Sequence, residues 1–267
     1  MTKLQLSKLH ATGNDFLVWI PESGEAPDRS VAAALCDRHT GIGADGLITI
    51  GPARNGADCT MTLQNADGGV AEMSGNGIRC LAWVAARRGF GTETELVVDT
   101  GGGRRVISLQ RAAGGDVVGA EVDMGALTIE SAQFSVTVHG TEYRGNVANI
   151  GNPHFVCFVD DPEATRVTTH GPIIERNDHF PHRTNVEFVR VVGENTLQMR
   201  VWERGAGETQ SCGTGACAAA AVAHDLGRVG ERVQVRLPGG VLDVTLGDTV
   251  RLGGPVVHVF DVDIEVA

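Results

Sequence analysis

Ser74-Gly75-Asn76-Gly77-Ile78-Arg79-Cys80 and Cys212-Gly213-Thr214-Gly215-Ala216-Cys217 are the two stretches on which the fold turns. Each is a glycine loop that opens a run of small, helix-compatible residues, and they stand 138 positions apart (212 − 74). The same offset carries Gly13-Asn14 onto Gly151-Asn152, Gly89 onto Gly227, and Thr100-Gly101-Gly102 onto Pro238-Gly239-Gly240. It also carries Asn65, nine residues before Ser74, onto Glu203, nine before Cys212. With 36 glycines in the chain, one coincidence would mean little. A single ungapped offset from about residue 13 to 102, holding at loop, helix end and hairpin, marks a repeat. Its period is far above the roughly 20–50 residues of solenoids, so it predicts a duplicated domain.

The segment after the second loop, Ala216-Cys-Ala-Ala-Ala-Ala-Val-Ala-His-Asp-Leu226, is apolar nearly all round. That pattern predicts a buried helix with sheet wrapped about it. Helices are predicted over Ser30–Asp37, Gly77–Arg88 and Gly215–Leu226. Short strand-like runs bounded by Gly, Asp or Pro fill most of the rest, from Leu4–Leu9 and Phe16–Ile20 through Asn185–Val192 and Thr196–Trp202 to Val256–Val262. The expected class is α+β: two pseudo-symmetric halves, each a mixed or antiparallel sheet wrapped round a central helix. Residues 1–115 form the first half and 116–255 the second. Residues 256–267 form a final strand that packs back on the first half. Arg111-Ala-Ala-Gly-Gly-Asp116 is the candidate join.

The chain has 267 residues, 42% of them hydrophobic, enough to build a core. A net charge of −11 argues against a nucleic-acid phosphate binder. No run approaches the roughly 18 apolar residues of a membrane span, and Met-Thr-Lys-Leu-Gln-Leu does not read as a secretory signal. A cytoplasmic location is the expectation. The six cysteines, Cys36, Cys59, Cys80, Cys157, Cys212 and Cys217, form no C-x-x-C pair and no zinc-type spacing with histidine, so no metal is expected. Five read as small buried apolar residues.

Cys212 is different because of its place. A glycine loop opening a helix offers unpaired N–H groups and the positive end of the helix dipole, which attract a carboxylate or phosphate. The same field favours a thiolate over a thiol. Cys212 therefore reads as a base or nucleophile; the alternative is a small helix-start residue without chemistry. Groups on two facing loops suggest a reaction that removes a proton from one side of a carbon and returns one to the other. Helix N-termini would stabilise the charge that develops on a substrate carboxylate. Arg204, after a predicted strand, has the fork for a carboxylate. Asn14, Asn65, Asn152 and Asn185 sit at strand ends, where turn roles compete with binding. His154 reads either as a group that orients a thiol or as a core histidine. Gly41-Ile-Gly-Ala-Asp-Gly46 fits G-x-G-x-x-G, but polar Asp37-Arg38-His39-Thr40 precedes it and strand-like Leu47–Ile50 follows, so it is no dinucleotide loop.

Taken together, Gly13-Asn14-Asp15-Phe16, Gly41–Gly46, Asn65-Ala66-Asp67-Gly68, Gly75–Cys80, Gly151-Asn152-Pro153-His154, Arg183–Glu187, Glu203-Arg204-Gly205 and Gly207-Glu208-Thr209 with Cys212–Ala216 resemble diaminopimelate epimerase, in order over about residues 10 to 220. The resemblance implies interconversion of LL- and meso-diaminopimelate in lysine and peptidoglycan precursor synthesis. It also implies two similar halves with the site in the cleft between them, no pyridoxal phosphate, metal or other cofactor, and a homodimer. By the same resemblance Cys212 is a catalytic cysteine. Asn14, Asn65, Asn152, Asn185, Glu203 and Arg204 bind substrate. Gly75-Asn76 and Gly213-Thr214 bind the reacting carboxylate, and His154 and Glu203 support the catalytic pair.

Two positions depart from the family pattern. Gly46 stands where some members carry a glutamine. Ser74 stands where the pattern has the other catalytic cysteine, and a hydroxyl can donate a proton far more readily than it can remove one. Three explanations are open: a natural variant with slower or lopsided turnover, an engineered inactivating change, or a shift to another reaction. The expectation is diaminopimelate epimerase with Ser74 and Cys212 opposed. The alternatives are a related racemase or dehydratase of a proline-like acid, and an impaired carboxylate-binding homologue.

Overall fold

The computed structural model describes residues 2–130 and 133–266. It divides into two compact units. The first runs to Asp123 and takes back the chain from Gly253; the second is Met124–Leu252.

In the first unit β1 (Thr2–Ala11) turns into β2 (Asn14–Trp19) through Thr12-Gly13, whose φ values of 49° and 83° are those of a two-residue hairpin turn. Helix α1 (Arg29–Cys36) then leads to β3 (Gly46–Gly51), β4 (Cys59–Asn65) and the short β5 (Val70–Ala71). Helix α2 (Gly75–Arg87) follows, then β6 (Glu95–Thr100), β7 (Gly103–Arg111) and β8 (Val117–Gly125). Strands β2 and β3 are parallel, as are β4 and β6; the β1–β2, β3–β4, β6–β7 and β7–β8 pairs are antiparallel. Helix α2 packs on β1 to β4, and every residue from Gly75 to Ala85 is buried.

The second unit opens with β9 (Thr128–Ile129), β10 (Phe134–Val138), β11 (Thr141–Asn149) and β12 (Pro153–Phe158), followed by α3 (Val167–Glu175). Next come β13 (Asn185–Gly193), β14 (Thr196–Glu203), β15 (Gly207–Glu208) and α4 (Gly213–Asp225). Strands β16 (Arg232–Leu237), β17 (Gly240–Thr245) and β18 (Val250–Pro255) carry the chain onward, and β19 (Val257–Val266) pairs antiparallel with β1 in the first unit. Here β12 is parallel to β13, and β14 to β16. Helix α4 packs on β11 to β14, β16 and β17, with Ala216–Ala223 all buried. Alanine and glycine side chains are what allow so many strands to close on one helix. Phe155 and Phe188 are fully buried in a cluster with Val167 and Ile174 of α3; truncating either to alanine costs about 3–5 kcal/mol.

The repeat is visible in the elements. Helices α2 and α4 both have 13 residues and begin 138 positions apart (213 − 75), as do α1 and α3 (167 − 29). Strand register is less strict. Phe16 pairs with Gly46, whereas His154 pairs with Asn185, one residue beyond the offset. The repeat thus slips by one residue at β13, although the sequence aligns without a gap.

Two sequence expectations differ from the structure, and two elements, α3 and β11, were not read from the sequence. Arg111–Asp116 is not the join but the β7–β8 turn, closed by Ala112 N–H to Asp116 O at 2.9 Å. Residues 116–123, expected to open the second half, stay with the first unit, and so do residues 253–255. Helix α3 was not foreseen because Gly171 and Pro172 lie inside it. A Cβ on Gly171 would stand 2.6 Å from Trp202 Cβ, so glycine is what lets α3 press onto β14. Strand β11 was hidden by Gly145, where a Cβ would meet Val156 O at 2.3 Å. Among the described residues, no helix is long and apolar enough to cross a membrane.

Candidate active site

Ser74 and Cys212 occupy the same position in their units. Each is the N-cap of its central helix, with extended backbone (φ −132°, ψ 125° and φ −126°, ψ 110°). The chemistry at the two caps differs. Ser74 Oγ accepts from Gly77 N–H at 3.1 Å, and Ser74 O accepts from Ile78 N–H at 2.9 Å. This satisfies the third and fourth donors of α2 and leaves the hydroxyl hydrogen for another acceptor. Cys212 O accepts from Ala216 N–H at 3.0 Å, and Cys212 Sγ lies 3.6 Å from Thr214 Oγ1.

In the first unit the loop is tied to Asn14. Asn76 Nδ2 donates to Asn14 Oδ1 at 3.3 Å, and Asn14 Nδ2 donates to Asp45 Oδ2 at 2.6 Å. The buried Arg79 donates to Asn76 Oδ1 at 2.7 Å and to Gly75 O at 2.9 Å, which stiffens the first turn of α2. Arg38 pairs with both Asp15 and Asp45, and Lys8 reaches Asp15 and Gly43 O from the interior. Burial pushes the Asp15 carboxyl up, but Arg38 and Lys8 outweigh it and hold the group down at about 2. Gly41–Gly46 therefore has a structural task. It turns at Gly43 (φ 83°), enters β3 rather than a helix, and delivers Asp45 to Asn14. Asn65 ends β4 opposite Gly46 with its side chain exposed.

In the second unit the expected residues fall into two hydrogen-bonded groups, one around His154 and Cys212 and one around Asn185 and Arg204. His154 Nε2 lies 3.0 Å from Asn152 Oδ1, and Asn152 Nδ2 donates to Thr214 Oγ1 at 3.4 Å. Asn185 Nδ2 donates to Pro153 O, and its Oδ1 accepts from Arg204 N–H, both at 2.9 Å. Arg204 is exposed and donates to His182 O at 3.3 Å. Glu203 accepts from Thr209 and from the Cys212 thiol. His154 does not touch the sulfur directly; it reaches Cys212 through Asn152 and Thr214.

The electrostatics of Cys212 correct one expectation. Burial raises the thiol well above its ordinary range, and the Glu203 and Glu187 carboxylates raise it further; the Thr214 hydroxyl and Gly215 N–H work against them. Only 4% of the residue is exposed, so lost hydration outweighs the helix N-terminus, and Cys212 rests as the thiol. Burial likewise pushes Glu203 up. Cys80 and Cys217 are core residues with no exposure, and burial pushes the Cys80 thiol up to about 12.

Glu187 entered the sequence reading only as the end of Arg183–Glu187, with no role given to it. It is fully buried, and its Oε1 lies 2.7 Å from His154 Nδ1. The signal was present: Asn185 and Glu187 are two apart on β13, so they share a face beside His154 and Val156.

A family model for diaminopimelate epimerase matches residues 6–130 and 146–258. The chain is 41% identical over 274 residues to a diaminopimelate epimerase of Moorella thermoacetica, covering 95% of this chain and 96% of the relative. It is 40% identical to that of a Synechocystis strain, covering 98% and 99%. Among solved structures, a hydroxyproline epimerase from Agrobacterium vitis superposes with a TM-score of 0.74 at 18% identity, over 98% of this chain and 92% of that one. A PhzF-family phenazine biosynthesis protein from Bacillus anthracis gives 0.72 at 14%, over the full length of both. The last two establish a shared α+β fold. The family match and the near full-length relatives go further, and with them the chain belongs to the diaminopimelate epimerase family.

Proposed function

We propose that this isomerase interconverts LL- and meso-diaminopimelate by moving a proton at the α-carbon, with Cys212 and Ser74 as the two proton-carrying groups. The observation that carries the reading is their equivalence: both cap the central helix of a repeat unit, and both bear a hydrogen on a heteroatom. Inversion needs one group on each face of the carbon. Cys212, beside Glu203, is the acid–base group able to work in both directions, and Ser74 serves as donor. The side chains carry the proton themselves, so the chemistry calls for no cofactor.

The N–H groups at Gly75, Asn76, Gly213 and Thr214 would hold the reacting carboxylate, where helix N-termini favour negative charge. Asn14, Asn65, Asn152, Asn185, Glu203 and Arg204 would hold the amino groups and the distal carboxylate. His154 would act from behind, through Asn152. Cytoplasmic, homodimeric operation follows the family pattern and belongs to the same proposal.

The test is exchange in heavy water. Each of LL- and meso-diaminopimelate is incubated with the protein and followed by NMR and mass spectrometry. Deuterium at the α-carbon together with conversion supports the reading; the absence of both exchange and conversion overturns it. Ser74 motivates a second reading, a carboxylate-binding homologue with impaired turnover, whose signature is tight binding of diaminopimelate with no α-exchange. A proline-like substrate is disfavoured by the polar set Asn65, Asn152, Asn185, Glu203 and Arg204, which exceeds what one carboxylate and one ring nitrogen require.

A further inference from the structure

Proton transfer by Cys212 and Ser74 makes no use of Glu187, yet the structure commits a fully buried carboxylate to the loop that carries the thiol. Both His154 and Glu187 have no side-chain exposure. Glu187 Oε1 sits 2.7 Å from His154 Nδ1, and Oε2 has no hydrogen-bond partner among the described residues. The carboxylate lies against the first turn of α4: a Cβ on Gly215 would stand 2.8 Å from Oε1 and 3.3 Å from Cys212 Sγ. Cys157 Sγ donates to Glu187 O from β12, and Glu203 faces the group from β14.

With Glu187 ionised and the Asn152 amide turned so that Nδ2 meets Thr214, the donors and acceptors fit one assignment. A carboxylate oxygen at Nδ1 requires a hydrogen on Nδ1. Asn152 Oδ1 at Nε2 requires a hydrogen on Nε2. The ring is then an imidazolium, and with Glu187 ionised the pair is neutral overall, as a buried ion pair must be. Asn152 Oδ1 being held, its Nδ2 donates to Thr214 Oγ1. Thr214 Oγ1 thus accepts, and its own hydrogen is left for Cys212 Sγ.

We propose that Glu187 is a positioning residue for Cys212: it keeps His154 doubly protonated, and the protonated ring orients Asn152 so that the relay ends with the Thr214 hydroxyl donating to the sulfur. The direction of that last bond supports negative charge on sulfur at the moment Cys212 removes a proton. The burial that keeps Cys212 a thiol at rest is opposed by a donor held in place from two residues away. The kinetic part rests on the epimerase reading; the protonation part does not.

The test is nitrogen NMR of the full-length protein labelled with 15N at histidine, His154 being assigned by the signal lost in His154→Gln. The wild type is expected to show both His154 nitrogens protonated, unchanged as the pH is raised from about 6 to about 8, across which a free imidazole loses its proton. A neutral ring with one bare nitrogen in the wild type overturns the proposal, and this measurement needs no variant to fold and no turnover. In Glu187→Gln, which keeps the shape and removes the charge, one ring nitrogen is expected to lose its hydrogen. With diaminopimelate, kcat is expected to fall at least about tenfold with KM nearly constant, as for other partners that set a histidine's tautomer. An unchanged ring signal in Glu187→Gln overturns the proposal. Ring signals as expected with no diaminopimelate exchange in the wild type would leave Glu187 assigned and sink the epimerase reading alone.

Discussion

The Glu187 carboxylate and the first turn of α4 share a space that only a glycine at 215 leaves open, with Oε1 2.8 Å from where a Cβ would stand. Gly215→Ala should therefore push Glu187 and Cys212 apart. Overpacking of this kind costs about 1–3 kcal/mol. A lower urea midpoint together with reduced turnover is expected. Unchanged stability and activity would show that Glu187 does not bear on the loop.

Ser74→Cys should separate stability from activity. Loss of the hydroxyl that caps Gly77 N–H removes about 0.5–2 kcal/mol. A second thiol at the equivalent cap should raise epimerisation by about 10²–10⁴-fold, the range of a well-placed acid–base group. Steady-state kinetics with both stereoisomers and a thermal melt read the two effects. Turnover that does not rise would remove Ser74 from the catalytic pair.

Glu203→Gln should make Cys212 more reactive and the enzyme slower. Glu203 is one of two carboxylates that raise the Cys212 thiol, so its removal increases the thiolate fraction. Alkylation of the Cys212 peptide by iodoacetamide at pH 8, followed by mass spectrometry, should accelerate. Epimerisation should fall at the same pH, because Glu203 also accepts the thiol hydrogen. Slower alkylation would contradict the placement of Glu203.

Asp15 makes part of the stability of the first unit pH-dependent. Its folded value of about 2 lies below the ordinary 3.8, so the folded state binds the proton less tightly than the unfolded chain. The resulting stabilisation, about 2 kcal/mol from a shift of this size, is fully present above pH 4 and is lost as pH falls toward 2. Asp15→Asn should lower the urea midpoint at pH 7, and the gap to wild type should narrow steadily below pH 4. A constant gap would show that Lys8 and Arg38 do not act through Asp15.

Much of this molecule was legible before any coordinate. The offset joining Ser74 to Cys212 located both central helices, because a glycine loop and a small-residue run are local signals that need no tertiary partner. Alternating strands such as Arg232–Leu237 were legible for the same reason. Helix α3 was not, since its Gly171 and Pro172 contradict helix propensity and make sense only against Trp202. Nor was the extent of the first unit: Val117–Gly125 reads as a strand anywhere, and its partner β7 is a matter of pairing.

The chemistry divides along the same line. Sequence by itself determined the repeat, the helix caps, the family and the substitution of a hydroxyl for a thiol at Ser74, all of which are written in residue identity and spacing. Tertiary structure decided how those groups behave. Cys212 was expected to be acidified by the helix it caps, but burial and two carboxylates from β13 and β14 raise it instead. Asp45 became the anchor of Asn14, and Glu187 the partner of His154, by contacts 31 and 33 residues apart in the chain. A dipole at a helix start can be read from a local motif. Desolvation and the charges that face a thiol depend on which strands close over it, and only the folded chain brings those together.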